Sequence, residues 1–160
     1  MYSLSHQFAA YVRAKSPDCL DSRAIAFIDS RIDRWDDLVQ QVTPEVRVFV
    51  LESTNNGIGA VTQVLNNSSC RQIYLVAPGK PGCLYLGAGE LSHNTLIQHE
   101  SKLQSWFVPT EVDSPTPCIH LSGCDVAAGD GGAEFVTKLN SITGAKIASS
   151  TNVYATRIFN

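Results

Sequence analysis

Five apolar runs recur along the 160-residue chain, and segments of helical period lie between them. "AIAFIDS" (24–30), "EVRVFVLES" (45–53), "QIYLVAPG" (72–79), "CIHLSG" (118–123) and "AKIASS" (145–150) have the length and β-branched content of strands. Between the first two, Trp35, Leu38, Val39 and Val42 repeat at i, i+3, i+4, i+7, the stripe of a helix laid on a sheet, and Pro44 stops it. Ile58, Val61 and Leu65 mark a second helix, closed by Asn66-Asn67-Ser68-Ser69. A third is expected from an N-cap at Ser92, with Leu96, Leu103 and Phe107 on one face and Trp106 beside them. A fourth carries Phe135, Leu139 and Ile142, with Asp130 as its cap and Gly144 just past its end.

Strands this uniformly apolar have no wet face, so alternation with helices calls for a mostly parallel sheet covered on both sides. The expected fold is therefore a three-layer α/β/α sandwich with a doubly wound sheet. "KPGCLYLGAG" (80–89), bracketed by glycines, adds a short β-arm. Residues 1–23 are expected to form a helical extension on account of an amphipathic opening over about 4–15, residues 24–151 the domain, and 152–160 a tail.

Length suits a single core that needs no metal or cofactor to stay folded. Net charge is −3 and the twelve Lys and Arg are scattered, which excludes the basic footprint of a nucleic-acid binder. Charged residues make up only 17% of the chain, a thin surface charge that points to protein partners. The five cysteines, Cys19, Cys70, Cys83, Cys118 and Cys124, are odd in number and without CxxC spacing, so reduced thiols are expected. No apolar run is long enough for a transmembrane segment, and the N-terminus has neither basic nor apolar signal regions. A cytoplasmic location is the expectation from these features.

In a doubly wound sheet the ligand or active site lies beyond the carboxyl ends of the strands, at the switch in strand order. Cys124 follows such an end and precedes a loop and helix start, a position suited to a nucleophile. A nucleophilic thiol needs a base within hydrogen-bond reach, and the neighbouring strand end offers Pro78. His120 is four residues upstream, about 13 Å along an extended strand. His93, at the start of the third helix, is the other candidate base. The alternative is that Cys124 is a small packing residue. Cys118, His120 and Cys124, with Asp125, could be read as metal ligands, but three groups spread along one strand diverge, so no metal is expected. The loop "GCDVAAGDGG" lacks both GxGxxG and the lysine of a nucleotide-binding loop. Asp29 and Glu52 both end strands, yet Ala77-Pro78-Gly79 supplies no third acid for a magnesium pocket, and Asp29 is expected to pair with Arg31 or Arg34 or to cap a turn.

Taken together, "AFIDSRI" (26–32), "VFVLESTNNGI" (48–58), "IYLVAPGKPGCLYLG" (73–87), "IHLSGCDVAAGDGGAEFVTKL" (119–139) and "TGAKIASS" (143–150) resemble a bacterial family of domains of unknown function, DUF4347, met in very large surface and repeat proteins. The resemblance implies the caspase and gingipain type of cysteine-peptidase fold, with a histidine-glycine pair after the third strand and a glycine-cysteine pair after the fourth. Carried over by motif, the cysteine falls on Cys124 and its glycine on Gly123. The histidine falls on Pro78, with its glycine kept as Gly79. A ring without acid–base function thus stands where the base is wanted, leaving Pro78, Gly79, Gly123, Cys124 and Asp125 as a vestigial site. The expected function is a non-catalytic, caspase-like structural or interaction subunit of a larger assembly. Its expected contact surfaces are the arm Cys83-Leu84-Tyr85-Leu86, the loop from Pro109, and Val153, Tyr154, Ile158 and Phe159. Alternatives are a cysteine peptidase or self-processing domain with His93 or His120 as base, and a binder of small molecules or anions at Gly79 and Gly123. The resemblance also allows a surface or exported location.

Overall fold

The computed structural model describes residues 10–13 (backbone only), 24–107, 115–122 and 125–152. Among the described residues there are nine strands and four helices. The strands are β1 (Ala10–Arg13), β2 (Ala24–Asp29), β3 (Val46–Leu51), β4 (Gln72–Val76), β5 (Gly79–Lys80), β6 (Cys83–Leu86), β7 (Gly89–Ser92), β8 (Cys118–Ser122) and β9 (Lys146–Ser150). The helices are α1 (Trp35–Gln41), α2 (Gly57–Asn66), α3 (Glu100–Gln104) and α4 (Gly129–Thr143).

The main sheet runs β1-β3-β2-β4-β8-β9. Its five inner and C-terminal strands are parallel, and β1 is antiparallel to β3. In chain order the parallel strands lie 2-1-3-4-5, which puts the switch point between the ends of β2 and β4. No described helix is long and apolar enough to cross a membrane.

Side chains alternate faces along each strand, and both faces are apolar, so two cores form. On one face Ile25, Phe27, Phe49, Leu51, Ile73, Leu75, Ile119 and Leu121 pack with Ile58, Val61, Leu65, Leu103, Phe135 and Leu139 of α2, α3 and α4. On the other, Ala26, Ile28, Val48, Val50, Tyr74 and Val76 pack with Leu38, Val39 and Val42 at α1. Phe27 and Phe49 stack with centroids 5.6 Å apart. The expected three-layer, mostly parallel sandwich is the architecture found.

Three expectations are corrected. Residues 10–13 are a strand and not part of a helical extension: their backbone adds to the open edge of β3, with a register shift between Tyr11 and Arg13. Edge pairing satisfies backbone groups that an isolated short helix would hold only marginally. Ser92 does not launch a helix to Phe107. It ends β7, and it exchanges hydrogen bonds with Thr95, Ser92 N to Thr95 Oγ1 at 2.8 Å and Thr95 N to Ser92 Oγ at 3.3 Å, which closes a turn; the helix proper is the short α3. Asp130 lies exposed in the first turn of α4 and caps nothing, the cap position being Ala128. Gly144, at φ 74°, ends α4 as expected.

Candidate functional site

The switch point is built around Asp29, the last residue of β2, which is wholly buried. A buried carboxylate is costly unless its oxygens are satisfied, and here four donors reach them. Arg31 N and Arg31 Nε each donate to Oδ1 at 2.9 Å, Arg31 Nη2 donates to Oδ2 at 2.9 Å, and Gly87 N donates to Oδ2 at 2.8 Å. Arg31 Nη2 also donates to Gly87 O at 2.8 Å. The hydrogen bond to Asp29 holds the Arg31 guanidinium above its already high range, against the opposing effect of burial.

Gly87 brings the second sheet into this clamp. β5, β6 and β7 form an antiparallel three-stranded sheet that leaves the end of β4. Gly87 bridges to Asn56, and Ala88 N donates to Asn55 O at 2.7 Å. The approach is so close that a Cβ on Gly87 would lie 2.4 Å from Asn55 O, and one on Gly57 would lie 2.2 Å from Leu86 O. The sequence points to Arg31 as an Asp29 partner; Gly87 opens the two-residue turn between β6 and β7, where its φ of 58° suits a glycine, and nothing in the sequence signals that this turn is seated on Asp29.

The sequence-derived site residues fall as follows. Pro78 is half-buried and its carbonyl accepts from Tyr85 N at 3.0 Å, while Gly79 pairs with Leu84 in β5. Asp125 is exposed, its carbonyl accepting from Ala128 N at 2.9 Å. Gly123 and Cys124 lie outside the described residues. His120 sits in the middle of β8 on the face shared with Tyr74 and Ala148. Its ring stacks on Tyr74 at 4.2 Å, and its Nε2 donates to Gln72 Oε1 at 3.0 Å. Burial makes this imidazole harder to protonate than a free histidine. His93 is exposed and offers its carbonyl to Lys138 Nζ at 3.3 Å.

The arm does not match its expected role as an exposed contact surface. Leu84 and Leu86 are fully buried in the larger core, Cys83 is buried, and Tyr85 is half-buried. The apolar alternation that reads as a sticky arm is instead the inner face of a small sheet packed over α2. Cys83 Sγ donates to Glu90 Oε1 at 3.3 Å, and burial first, with Glu90 adding to it, pushes the thiol above its ordinary range, so it stays protonated near neutral pH. Burial likewise raises Cys70 and Cys118. Pro109, Val153, Tyr154, Ile158 and Phe159 lie outside the described residues. Among the described residues no three His, Cys, Asp or Glu side chains are grouped to hold a metal ion. Ser122 Oγ, at the end of β8, is buried and has no hydrogen-bond partner among the described residues.

These elements define a class: a parallel α/β sandwich of 2-1-3-4-5 order whose switch point is closed by a carboxylate–guanidinium clamp and a docked β-hairpin. Residues 25–156 match the family described as Domain of unknown function (DUF4347), and the chain belongs to that family. No curated protein and no solved structure matches the chain.

Proposed function

We propose that this chain is a non-catalytic domain of the caspase-like type that serves as a structural or protein-interaction subunit. The observation that carries this reading is the end of β4. Where a thiol-dependent peptidase of this type would hold an imidazole, the residue is Pro78, whose carbonyl is already an acceptor for Tyr85 N in the hairpin that follows. The other groups at the switch point are equally committed, Asp29 to Arg31 and Gly87. His120 is held by Gln72 and Tyr74 within the body of the sheet. A nucleophile without a positioned base lacks the step that activates it.

The test compares the full chain with Cys124→Ala on a panel of fluorogenic peptides and for self-cleavage by intact-mass measurement. Equal, background-level turnover is expected for both, with no selective reaction of a thiol probe at Cys124. Cleavage by the parent chain that Cys124→Ala abolishes would replace this reading with that of a cysteine peptidase. A second reading, a small ligand at the strand ends near Gly79 and Gly123, draws support from Ser122 Oγ, since a buried hydroxyl left unpaired costs about 1–3 kcal/mol. Melting-temperature shifts with phosphate and with small carboxylates, lost in Ser122→Ala, would favour it.

A further inference from the structure

Asn56-Gly57 is the one asparagine–glycine step in the chain. An asparagine amide carbon is open to attack by the backbone nitrogen of the next residue, and a following glycine, having no Cβ, leaves that nitrogen least shielded. Asn56 is exposed and caps α2, so water reaches its side chain. Three contacts nevertheless hold it away from reaction. Its Oδ1 accepts from Gly59 N at 3.1 Å, its carbonyl accepts from Ala60 N at 2.9 Å, and its backbone bridges to Gly87. The resulting ψ of 92° puts Cβ and Gly57 N on opposite sides of the Cα–C bond, whereas closing a five-membered ring needs them on the same side. Turning ψ displaces Gly57, which is wedged against the hairpin: even a Cβ there would lie 2.2 Å from Leu86 O.

We propose that Asn56-Gly57 is a self-modification site gated by the seat of the hairpin. While Gly87 is seated, the amide is spared. When the β6–β7 hairpin lifts, Gly57 N attacks Asn56 Cγ: that C–N bond forms, the bond from Cγ to Nδ2 breaks, and the proton of Gly57 N leaves with the side-chain nitrogen as ammonia. Water then opens the cyclic succinimide at one of its two carbonyls. Opening at Cγ gives aspartate; opening at the main-chain carbonyl gives isoaspartate, in which the chain runs through Cγ and is longer by one methylene. The two products differ in effect. Aspartate keeps an oxygen for Gly59 N and adds negative charge at the start of α2, where it is favoured. Isoaspartate inserts its methylene into a contact with no spare volume, so Gly87 N cannot return to Asp29 Oδ2 and release becomes permanent. Leu84, Leu86 and Leu91 of the hairpin are fully buried, so lifting is rare and the modification is a slow record of it. Neither a catalyst nor a bound ligand takes part, so the site exists whether or not the strand ends are catalytic.

The full chain is aged at mildly alkaline pH in buffer and in urea, and the change of amide to acid is followed by mass spectrometry with fragmentation to place it at Asn56. Modification should be at least about tenfold slower in buffer than in urea, because only the opened fraction reacts. Gly87→Ala, which loosens the seat, should react at least about threefold faster in buffer than the parent chain. Aged chains are then separated by product. Those carrying aspartate should melt like Asn56→Asp, at or above the parent, and those carrying isoaspartate several degrees lower, with the Ala88 N–H no longer protected from hydrogen exchange. Equal rates in buffer and urea would overturn the proposal, as would a Gly87→Ala chain no faster than the parent, or isoaspartyl chains that melt with the parent. The first and last of these readouts use the parent chain alone and stand even if Gly87→Ala does not fold.

Discussion

Asp29 and Arg31 form a pair whose two members are not equivalent. Asp29 is wholly buried, whereas the Arg31 side chain is 38% exposed. Removing the arginine leaves a buried carboxylate with two backbone donors, Arg31 N and Gly87 N, in place of four. Removing the carboxylate strands one buried N–H, on Gly87, and lets the guanidinium turn to water. Arg31→Ala should therefore cost about 3 kcal/mol, the low end of the range for stranding a buried charge because water reaches the arginine side. Asp29→Ala should cost less, about 2 kcal/mol, and adding it to Arg31→Ala should restore part of the loss. Urea midpoints for the two single variants and the double variant measure this ordering.

His120 gives a residue-scale prediction in pH. Its imidazole protonates less readily in the folded chain than in the unfolded one, where the ordinary value is 6.5. The unfolded chain thus binds the proton first as pH falls. The support this histidine lends to folding is complete above that value and is lost progressively below it, down through the lowered folded-state value. His99, also lowered by burial and then by Lys102, acts in the same direction. His120→Gln should flatten the fall in stability between about pH 7 and about pH 5 without abolishing it, and denaturation at a series of pH values measures the slope.

At the scale of elements, the hairpin of β6 and β7 is seated by backbone contact where side chains have no room. Gly57 and Gly87 are the positions that permit it, and Gly87 also adopts φ 58°. Gly87→Ala should cost about 3 kcal/mol, roughly 1 from the left-handed backbone and roughly 2 from overpacking; Gly57→Ala, with the steric cost alone, should cost about 2 kcal/mol. Thermal melts of the two variants check the order. Hairpin residues 83–86 illustrate why the sequence misleads at this scale. An alternating run reads the same whether its apolar face meets solvent, a partner or the chain's own core, and only the contact with α2 decides. The segment after Ser92 misleads differently. Its apolar spacing serves a turn and a short helix alike, and α3 is held in place by a tertiary bond, Trp106 Nε1 donating to Thr62 Oγ1 at 2.9 Å.

For the whole molecule, one sheet carries two cores, so damage on either face is felt by the same set of strands. Phe27→Ala opens the larger core and Val48→Ala the smaller; both side chains are fully buried. The first should cost about 3–5 kcal/mol, a large part of the stability of about 5–15 kcal/mol usual for a domain, and the second about 1–3 kcal/mol. Each variant should still unfold in a single transition, with far-ultraviolet circular dichroism and tryptophan fluorescence coincident. Separate transitions would mean that the layers fold independently.

Fold class was legible in the order of runs because hydrophobic period and strand continuity are local properties: "AIAFIDS", "EVRVFVLES" and "QIYLVAPG" can bury two faces in only a few ways. The Asp29–Arg31 pair was legible for the same reason, its members being two residues apart. Strand order, the edge role of residues 10–13 and the seat of Gly87 against Asp29, 58 residues away, were settled only by the folded chain. They depend on which backbone groups meet across long stretches of sequence, and no local preference records that meeting.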